Sequence, residues 1–319
     1  MDTSYVASKP QSFNLLRLVR QTAIADRRKY QAQSRPLSLP RLSYMMGPNL
    51  SRPVFLVGAP RSGTTFLGRS LAALPCLSYH FEPIATKAAA RLVYEQQWSY
   101  RQARFFYRWV YSWLMRQHLD ADLRFSEKTP RNCFLIDFLA QAFPDAQFIH
   151  IIRDGRDAAL SYSKRPWLQA KQAQSSLKES GGYRFGPYAR FWVEPDRIRE
   201  FETTSDIHRC IWAWRRHTDT ACQLTRTLPS GRFLEIRYES LVTAPTTEAD
   251  RLLDFLDITS RKDRALCRAV VEEARPNSVG QWRHQLSAEQ IQEVEKEAGV
   301  LLEDLGYDLC GEGLDFERA

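Results

Sequence analysis

The eight residues 58–65, Gly-Ala-Pro-Arg-Ser-Gly-Thr-Thr, constrain the fold more than any other segment of this chain. They follow a short run rich in strand formers, residues 52–58, which suits a buried parallel strand. Over residues 64–74, apolar residues recur at helical spacing. A glycine loop between a strand and a helix presents backbone N–H groups and the positive helix end to an anion. The sequence therefore predicts an anion-binding loop at the end of a buried strand.

The loop departs from the phosphate-binding pattern G-x-x-x-x-G-K-[ST] at one position. Gly58, Gly63 and Thr65 fit, but Thr64 stands where the pattern has lysine. In enzymes that hydrolyse ATP or GTP, this lysine reaches the terminal phosphates and the next hydroxyl holds magnesium. The substitution argues against triphosphate hydrolysis, while Arg61 still supplies a planar, charged fork. We expect a smaller anionic group, bound without a metal; a Gly-Pro turn that binds nothing is the alternative.

Two further segments, residues 147–152 and 232–238, are predicted to be buried strands, and a helical pattern follows each. Strands that alternate with helices indicate right-handed crossovers and a parallel sheet. Ligands bind such sheets beyond the carboxyl ends of the strands. The predicted fold class is α/β, with a P-loop-like parallel sheet flanked by helices on both faces in a single domain.

The remaining regions are assigned from their composition. Residues 1–50 are predicted to form an N-terminal helical extension, with an amphipathic helix over residues 13–30. This helix packs on the domain with its arginines in water, or touches an anionic membrane surface. Residues 51–310 form the predicted main domain and residues 311–319 a tail. Residues 166–205, rich in glycine, proline and aromatic residues, are predicted to be a lid-like insertion that contributes to the acceptor site.

Residues 91–118 mix many aromatic side chains with arginines. Such a mixture can stack nucleic-acid bases. Helices that pack aromatic rings into a core have the same composition, and this second interpretation is the one we favour.

The composition limits the possible ligands. A net charge of +8 favours an anionic ligand without specifying which one. The six cysteines form no C-x-x-C pair and the histidines have no metal-binding spacing, so no metal is expected. No apolar run reaches the roughly 18 residues of a membrane span, and the N-terminus lacks a signal pattern. A cytoplasmic protein is expected, and its oligomeric state is open.

Several stretches resemble the sulfotransferases that use 3′-phosphoadenosine-5′-phosphosulfate (PAPS). Residues 60–67 are similar to the family's 5′-phosphosulfate loop, in the arginine version found in tyrosylprotein, carbohydrate and many bacterial members. Residues 148–163 resemble its 3′-phosphate strand, loop and helix, and residues 127–130 resemble the short motif before them. Residues 278–283 and 305–307 resemble its C-terminal signature. The resemblance covers most of the chain outside the insertion.

PAPS carries two anionic ends, and the resemblance implies one site for each. The 5′ end would bind at Arg61, Ser62, Gly63, Thr64, Thr65 and Phe66. The 3′-phosphate would bind Arg153 and Ser161, backed by Arg165, which would share a helix face with Ser161. Alternatively, Arg153 pairs with a nearby aspartate and Arg165 is a solvated helix end. Flat rings suit adenine and a further arginine suits the phosphate, which gives three more candidates: Tyr238, Trp282 and Arg283. The alternative for the two aromatic residues is a place in the core.

Glu82 is the predicted catalytic base, because it lies 21 residues after Arg61, where tyrosylprotein and carbohydrate sulfotransferases carry their proposed carboxylate base. In an apolar pocket, we expect its pKa to be raised enough to accept a proton near neutral pH. Lys128 and Arg61 are predicted to stabilise charge on the sulfuryl group and the departing oxygen. His80 is the reserve base. A carboxylate that caps a helix or pairs with an arginine is the alternative reading of Glu82.

The predicted reaction is direct in-line transfer from PAPS to an acceptor hydroxyl, or to an amine, without a covalent intermediate. The competing interpretations are a kinase or NTPase with a degenerate loop, and a basic module that binds nucleic acid or membranes. The acceptor is open: carbohydrate, lipid, peptidyl tyrosine and secondary metabolites all fit. A soluble bacterial type of enzyme acting on a small or lipid-linked hydroxyl is favoured.

Overall fold

A computed structural model describes residues 15–29, 47–116 and 123–310. Its centre is one sheet of five parallel strands in the order β2-β3-β1-β4-β5. The strands are β1 (Val54–Val57), β2 (Leu77–Phe81), β3 (Arg124–Lys128), β4 (Gln147–Ile152) and β5 (Phe233–Arg237). The chain starts in the middle of the sheet, extends to one edge and returns through β4 to the other.

Helices connect the strands and cover the sheet. They are α1 (Leu15–Lys29), α2 (Thr64–Ala72), α3 (Ile84–Tyr94), α4 (Tyr100–Met115), α5 (Ile136–Ala142), α6 (Gly155–Ser163), α7 (Ile198–Thr203), α8 (Asp206–Thr225), α9 (Tyr238–Thr243), α10 (Pro245–Phe255), α11 (Arg261–Val271), α12 (Trp282–Gln285) and α13 (Ala288–Asp304). Short 3-10 turns lie at Pro130–Phe134, Pro166–Leu168, Ala170–Gln172, Pro195–Arg197 and Pro276–Ser278.

The central strand β1 shows why the sheet is buried on both faces. Its four residues are apolar and buried, and successive side chains of a strand point to opposite faces. Phe55 and Val57 enter one core with α4, α5, α6 and α8. Val54 and Leu56 enter a second core with α2, α10 and α11. Helices therefore cover both faces, and the predicted α/β fold class is confirmed.

Strands β2 and β3 were not predicted from the sequence, and both carry polar residues at buried positions. In β2, His80 is fully buried and its ring nitrogen lies 2.9 Å from the Ser78 hydroxyl. In β3, Glu127 is fully buried and accepts hydrogen bonds from Thr129, at 2.6 Å, and from Tyr111. Burial of such groups is tolerated only when hydrogen bonds satisfy them. Tyr111 lies on a different element from Glu127, so an apolar pattern within the strand could not reveal it.

The aromatic segment forms α4, and its rings face two ways. Phe106, Tyr107 and Tyr111 are buried, and the Tyr111 ring lies 4.2 Å from that of Phe125. The expected packing of aromatic rings into the core is confirmed for this side of the helix. Phe105 is 73% exposed, so the opposite side reaches solvent.

The insertion, residues 166–205, has little regular structure before α7, and a buried arginine within it bonds to several of its carbonyl groups. The Arg190 guanidinium donates hydrogen bonds to the carbonyl oxygens of Tyr188 at 3.0 Å, Trp167 at 3.1 Å and Arg184 at 2.8 Å. An arginine offers five donors in a fixed fork, so one side chain can satisfy several loop carbonyls. This side chain fixes the path of the insertion across the domain.

The N-terminal helix α1 packs on the domain. Val19 and Thr22 are buried, and the Thr22 hydroxyl accepts a hydrogen bond of 2.9 Å from the backbone N–H of Ala85 in α3. The remaining residues of the predicted extension before residue 47, and the predicted tail 311–319, lie outside the described residues. In the described part of the chain, no helix combines the length and apolar character that crossing a bilayer requires.

Replacing Arg190 with methionine should destabilise the fold, because half-buried carbonyl groups of the insertion would lose a charged donor and Glu179 would lose a neighbouring cation. We expect the free energy of unfolding to fall by about 2 to 4 kcal/mol in urea titrations. The matched control is R199M, which removes the same charge from an exposed position in α7. A loss for R190M no larger than that of the control would contradict the role of Arg190.

Candidate active site

The glycine loop lies between the carboxyl end of β1 and the first turn of α2. Gly58 has φ of 154°, and a Cβ there would approach within 2.6 Å of the carbonyl oxygen of Ile151 on β4. Gly63 has φ of 90°, and a Cβ there would collide with the Tyr238 ring. Glycine is required at both positions, since the backbone conformation and the close neighbours exclude a side chain. The sequence alone identified the two glycines but not the residues that pack against them.

The loop has unused hydrogen-bond donors at its centre. No side chain caps the first turn of α2, so its N–H groups retain the positive potential of a helix N-terminus. Ser62 is fully buried, and its hydroxyl has no hydrogen-bond partner among the described residues. A buried, unpaired polar group requires an explanation, and a bound anion would supply it. Of the three residues that follow Gly63, Thr64 is buried, Thr65 is exposed and Phe66 is half-buried.

Arg61 connects the loop to the second predicted anion site. It has a left-handed backbone, with φ of 72°, which is unusual for a residue with a side chain. Its Nε donates a hydrogen bond of 3.0 Å to the Ser161 hydroxyl in α6. Burial lowers the pKa of the Arg61 guanidinium, and the nearby charges of Arg165 and Arg153 lower it further. Like charges gathered in this way create a positive field that suits an anionic ligand.

Arg153 follows the last residue of β4 and joins several distant segments. Its guanidinium donates a hydrogen bond of 3.0 Å to the Arg61 carbonyl oxygen and a second one to that of Ser278. The same group lies 4.6 Å from the centre of the Tyr238 ring. Its Nε is buried and has no partner among the described residues. Asp157 is 3.8 Å away, so the ion pair considered from the sequence exists but leaves a donor free.

Asp157, on α6, was not predicted as part of the site. Its carboxylate accepts hydrogen bonds from the backbone N–H groups of Gly280, at 2.7 Å, and Trp282, at 3.0 Å. Burial raises the pKa of Asp157, although these bonds and Arg153 oppose the rise. The aspartate therefore attaches the C-terminal signature, residues 278–283, to the helix beside Arg153. The sequence offered this residue only as a nearby aspartate for Arg153, because its bonds to residues 280 and 282 come from the tertiary structure.

The remaining residues predicted to bind the nucleotide, Tyr238, Trp282 and Arg283, lie in two different environments. The Tyr238 hydroxyl lies 2.6 Å from that of Ser278, next to Arg153. Trp282 is buried, and the guanidinium groups of Arg156 and Arg283 lie 3.9 and 4.7 Å from its ring centre. Tyr238 thus borders the arginine cluster, which consists of Arg61, Arg153 and Arg165. The Trp282 ring is instead covered by Arg156 and Arg283.

Arg165 does not share a helix face with Ser161, contrary to the prediction from the sequence. Helix α6 ends at Ser163, and Arg165 is exposed with an extended backbone. The tight turn after the helix, with the N–H of Arg165 bonded to the Tyr162 carbonyl oxygen at 2.8 Å, prevents the shared helix face. Its charge nevertheless acts on Arg61.

Glu82 and Lys128 meet at the ends of neighbouring strands. Phe81, the last residue of β2, is in register with Lys128, the last residue of β3. The N–H of Glu82 donates to the Lys128 carbonyl oxygen at 2.9 Å. The Lys128 ammonium lies 2.6 Å from Glu82 Oε1 and 3.9 Å from the centre of the Phe81 ring. On the other side, the Lys87 ammonium of α3 lies 2.6 Å from Glu82 Oε2.

The expectation of a raised pKa for Glu82 is wrong. Burial opposes ionisation of the carboxyl, but the ammonium groups of Lys128 and Lys87 outweigh it and lower the pKa to about 2. Each ammonium is a strong donor at ion-pair distance, and such contacts favour the charged form. The partners are lysines rather than the arginine considered from the sequence. Lys87 was missed because no motif marks it.

The reserve base, His80, is fully buried, and its ring stacks on Phe125 with centroids 5.1 Å apart. This position in the core separates its ring from solvent.

A group of three residues with metal-binding atoms lies elsewhere, on α7, α8 and α13. Ligand atoms of Glu200, His208 and Glu297 lie within 4.8 Å of one another. The Glu297 carboxylate is already paired with Arg197 at 2.8 Å and Arg215 at 2.7 Å. The arrangement is an ion-pair network, since the guanidinium groups occupy the oxygens that a cation would need.

A parallel sheet with an uncapped glycine loop and an arginine cluster at its strand ends defines an α/β protein with a candidate anion site. The sequence profile described as the sulfotransferase family matches residues 84–263, more than half of the chain. The chain belongs to the sulfotransferase family. The matched region contains Lys128, Arg153 and Ser161 but begins after the glycine loop and Glu82.

Solved sulfotransferase structures are also similar. STF9 from Mycobacterium avium is 15% identical, with 93% of this chain and 85% of that chain covered and a TM-score of 0.51. The sulfotransferase domain from the curacin biosynthetic pathway is 16% identical, with 82% and 99% covered and a TM-score of 0.49. Mouse SULT7A1, solved with PAP, is 14% identical, with 84% and 90% covered and a TM-score of 0.46. STF9 shows a shared fold. No curated protein sequence matches the chain.

Replacing Gly63 with alanine should destabilise the protein more than replacing Gly231. Both glycines have positive φ, 90° and 84°, so each substitution strains the backbone by about 1 to 2 kcal/mol. At Gly63 the new methyl group would also meet the Tyr238 ring, whereas no atom lies within 4 Å of it at Gly231. Urea unfolding should show an additional loss of about 1 kcal/mol or more for G63A. Equal losses would contradict the packing of Tyr238 on the loop.

Acid should remove the stabilisation that Glu82 provides. Its folded pKa of about 2 lies below its ordinary value of 4.5, so this stabilisation is complete above pH 4.5 and lost as the pH falls toward 2. E82Q should be less stable than the wild type at neutral pH, and the difference should shrink between pH 4.5 and 2. Urea unfolding across this range measures it. A difference independent of pH would show that the two ion pairs do not form.

Proposed function

We propose that this protein transfers the sulfuryl group of PAPS to an acceptor hydroxyl by direct in-line displacement and releases 3′,5′-adenosine bisphosphate (PAP). One observation carries the proposal: the Arg61 loop and Arg153 are in direct contact, with a hydrogen bond of 3.0 Å. A ligand with one anion at each end of a nucleoside needs two anion sites held at a fixed separation. Membership of the sulfotransferase family supports the same chemistry.

The donor site would use groups whose hydrogen bonds are incomplete. The 5′ end would bind the backbone of residues 61–66 and the Ser62 hydroxyl, and the 3′-phosphate would bind Arg153, Ser161 and Arg165. Burial of Ser62 and of Arg153 Nε without partners in the described part of the chain supports this assignment. Tyr238 would border the nucleotide. Trp282 would act mainly through the Asp157 contact that positions residues 278–283, with Arg283 at the margin of the phosphate site.

Transfer would occur between the donor site, which contains the Arg61 loop and Arg153, and the pair formed by Glu82 and Lys128. Glu82 would accept the acceptor's hydroxyl proton as the acceptor oxygen forms its bond to sulfur. The bond between sulfur and the bridging phosphate oxygen would break, and its electron pair would remain on PAP. Lys128 and Arg61 would stabilise the charge on the transferring group and the leaving oxygen, since fixed cations act strongly in a site of low polarity. Lys128 is positioned for this role by its buried side chain at the end of β3.

The acceptor would bind near Glu82, between the segment that follows it and the insertion. Support for this location comes from Glu179 of the insertion, whose carboxylate lies 3.8 Å from the Lys87 ammonium. A hydroxyl-bearing small molecule, lipid or carbohydrate is the proposed class of acceptor. The protein would act as a cytoplasmic enzyme, with residues 51–310 as the transferase domain and residues 166–205 as its lid.

The function is tested by calorimetry and by transfer of radiolabelled sulfate from PAPS to cell extract. We expect the wild type to bind PAP more tightly than ATP with magnesium, and R153M to bind it at least about tenfold more weakly. E82Q should bind PAP normally but transfer about 10² to 10⁴ times more slowly, as expected for loss of a base. K128A should lose about 10² to 10³ in rate.

The exposed Lys262 on α11 supplies the control, since K262M removes a charge outside the proposed site and outside the insertion. Tighter binding of ATP with magnesium would overturn the assignment of the donor. Wild-type turnover in both E82Q and K128A would overturn the catalytic assignments.

A further inference from the structure

Lys87 lies between two carboxylates that come from different parts of the chain. Its ammonium is 2.6 Å from Glu82 Oε2 and 3.8 Å from Glu179 Oε2. Glu82 follows β2, whereas Glu179 belongs to the insertion. All three side chains are largely buried, with 11%, 18% and 16% exposure for Lys87, Glu82 and Glu179. One ammonium therefore has two anionic partners within reach of a small side-chain rotation.

The resting arrangement is unsuited to a catalytic base. Both carboxylate oxygens of Glu82 are engaged, one by Lys128 and the other by Lys87. A base is most effective when its pKa is near the working pH, and two ammonium groups hold the pKa of Glu82 at about 2. Lys128 can turn toward the negative charge of a bound donor. Lys87 needs another anion to stabilise it once it leaves Glu82.

Glu179 is fixed in a position to be that anion. Arg131 binds its Oε1 at 2.9 Å, and Arg190 lies 3.6 Å from the same oxygen. This leaves Oε2 directed at Lys87. The guanidinium of Arg131 also donates to the Lys87 carbonyl oxygen at 2.8 Å, so the insertion and the start of α3 are connected twice.

The backbone of the insertion reinforces this position. Gly181 has φ of 107°, and a Cβ there would approach within 2.7 Å of Arg131. The Tyr183 ring lies between two cations, 4.8 Å from Arg131 and 5.0 Å from Arg190. Glu179 is therefore held by rigid contacts, while the Lys87 side chain retains its flexible stem.

We propose that Lys87 is a positioning residue that moves its ion pair from Glu82 to Glu179 during turnover, so that the insertion controls the basicity of Glu82. The charged groups involved are Lys128 from β3 and Lys87 from α3 around Glu82, and Arg131 and Arg190 around Glu179. Lys87 keeps its protons throughout, and the acceptor proton passes to Glu82. The inference rests on the proposed role of Glu82 as the base.

Titration of Glu82 tests the electrostatic part without requiring turnover. Glutamate labelled with ¹³C reports each carboxyl by NMR, and the signal lost in E82Q identifies Glu82. We expect K87M to raise the measured pKa of Glu82 by about 1 to 3, while K87R and the control K262M leave it near that of the wild type. An unchanged value in K87M would overturn the proposal.

A double-mutant cycle tests the exchange of partners. The probe reaction is release of PAP from PAPS with water as acceptor, so that no identified acceptor is needed. In the protein that keeps Lys87, E179Q should lower kcat by about tenfold. KM for PAPS should stay unchanged, because Glu179 is not part of the proposed PAPS site. In the K87M background, the same substitution should change kcat by less than about twofold.

The outcomes separate this inference from the proposed function. An equal effect of E179Q in both backgrounds would assign Glu179 a structural role through Arg131 and Arg190, and would overturn the exchange. Wild-type PAP release in E82Q would instead overturn the base on which the inference rests. A wild type that binds no PAP would overturn the proposed donor, while the NMR titration would still report the effect of Lys87 on Glu82.

Discussion

The Arg153 guanidinium is the contact on which the arrangement of the site depends. It binds the Arg61 and Ser278 carbonyl oxygens and lies against the Tyr238 ring. These groups belong to the glycine loop, the C-terminal signature and the helix after β5. A single buried cation with several fixed donors can hold such distant segments together, because each carbonyl needs a donor once it is removed from water. The same cation has no partner at Nε among the described residues, which leaves one donor for the anion that we propose.

The other half of the site differs in that it contains an anion. The arginine cluster places cations beside one another, whereas Glu82 is a carboxylate held between Lys128 and Lys87. The two halves lie at the carboxyl ends of adjacent strands, β2 and β3 on one side and β1 and β4 on the other. A donor with a negatively charged transferring group would meet the lysines at the point where the halves adjoin. The sheet order therefore matters for function, because it places the cation at β3 next to the loop at β1.

The parts of the fold that the sequence predicted have signals within a single segment. The strands β1, β4 and β5 have strand-forming residues within one segment, and the helices after them have clear periodicity. The predicted burial of β5 is wrong, because it lies at the sheet edge with only Ile236 fully buried. The strands β2 and β3 were missed because β3 has a single apolar residue, Phe125, and because the burial of Glu127 depends on Tyr111 from another element. In the site, the sequence predicted Arg61 and Ser161 as members of two separate anion sites, but it did not predict the contact between them. The predicted helix face shared by Ser161 and Arg165 does not exist, because α6 ends at Ser163.

The sequence by itself determined the class of fold and the position of the glycine loop. The loop can be recognised locally, because Gly58 and Gly63 adopt backbone conformations that residues with a side chain rarely adopt. Tertiary structure alone decided the ionisation of Glu82 and the presence of Lys87 and Glu179 beside it. Electrostatic energy depends on the distance between charges rather than on their separation along the chain. Two ammonium groups at 2.6 Å, one from β3 and one from α3, reversed the direction of the expected pKa change.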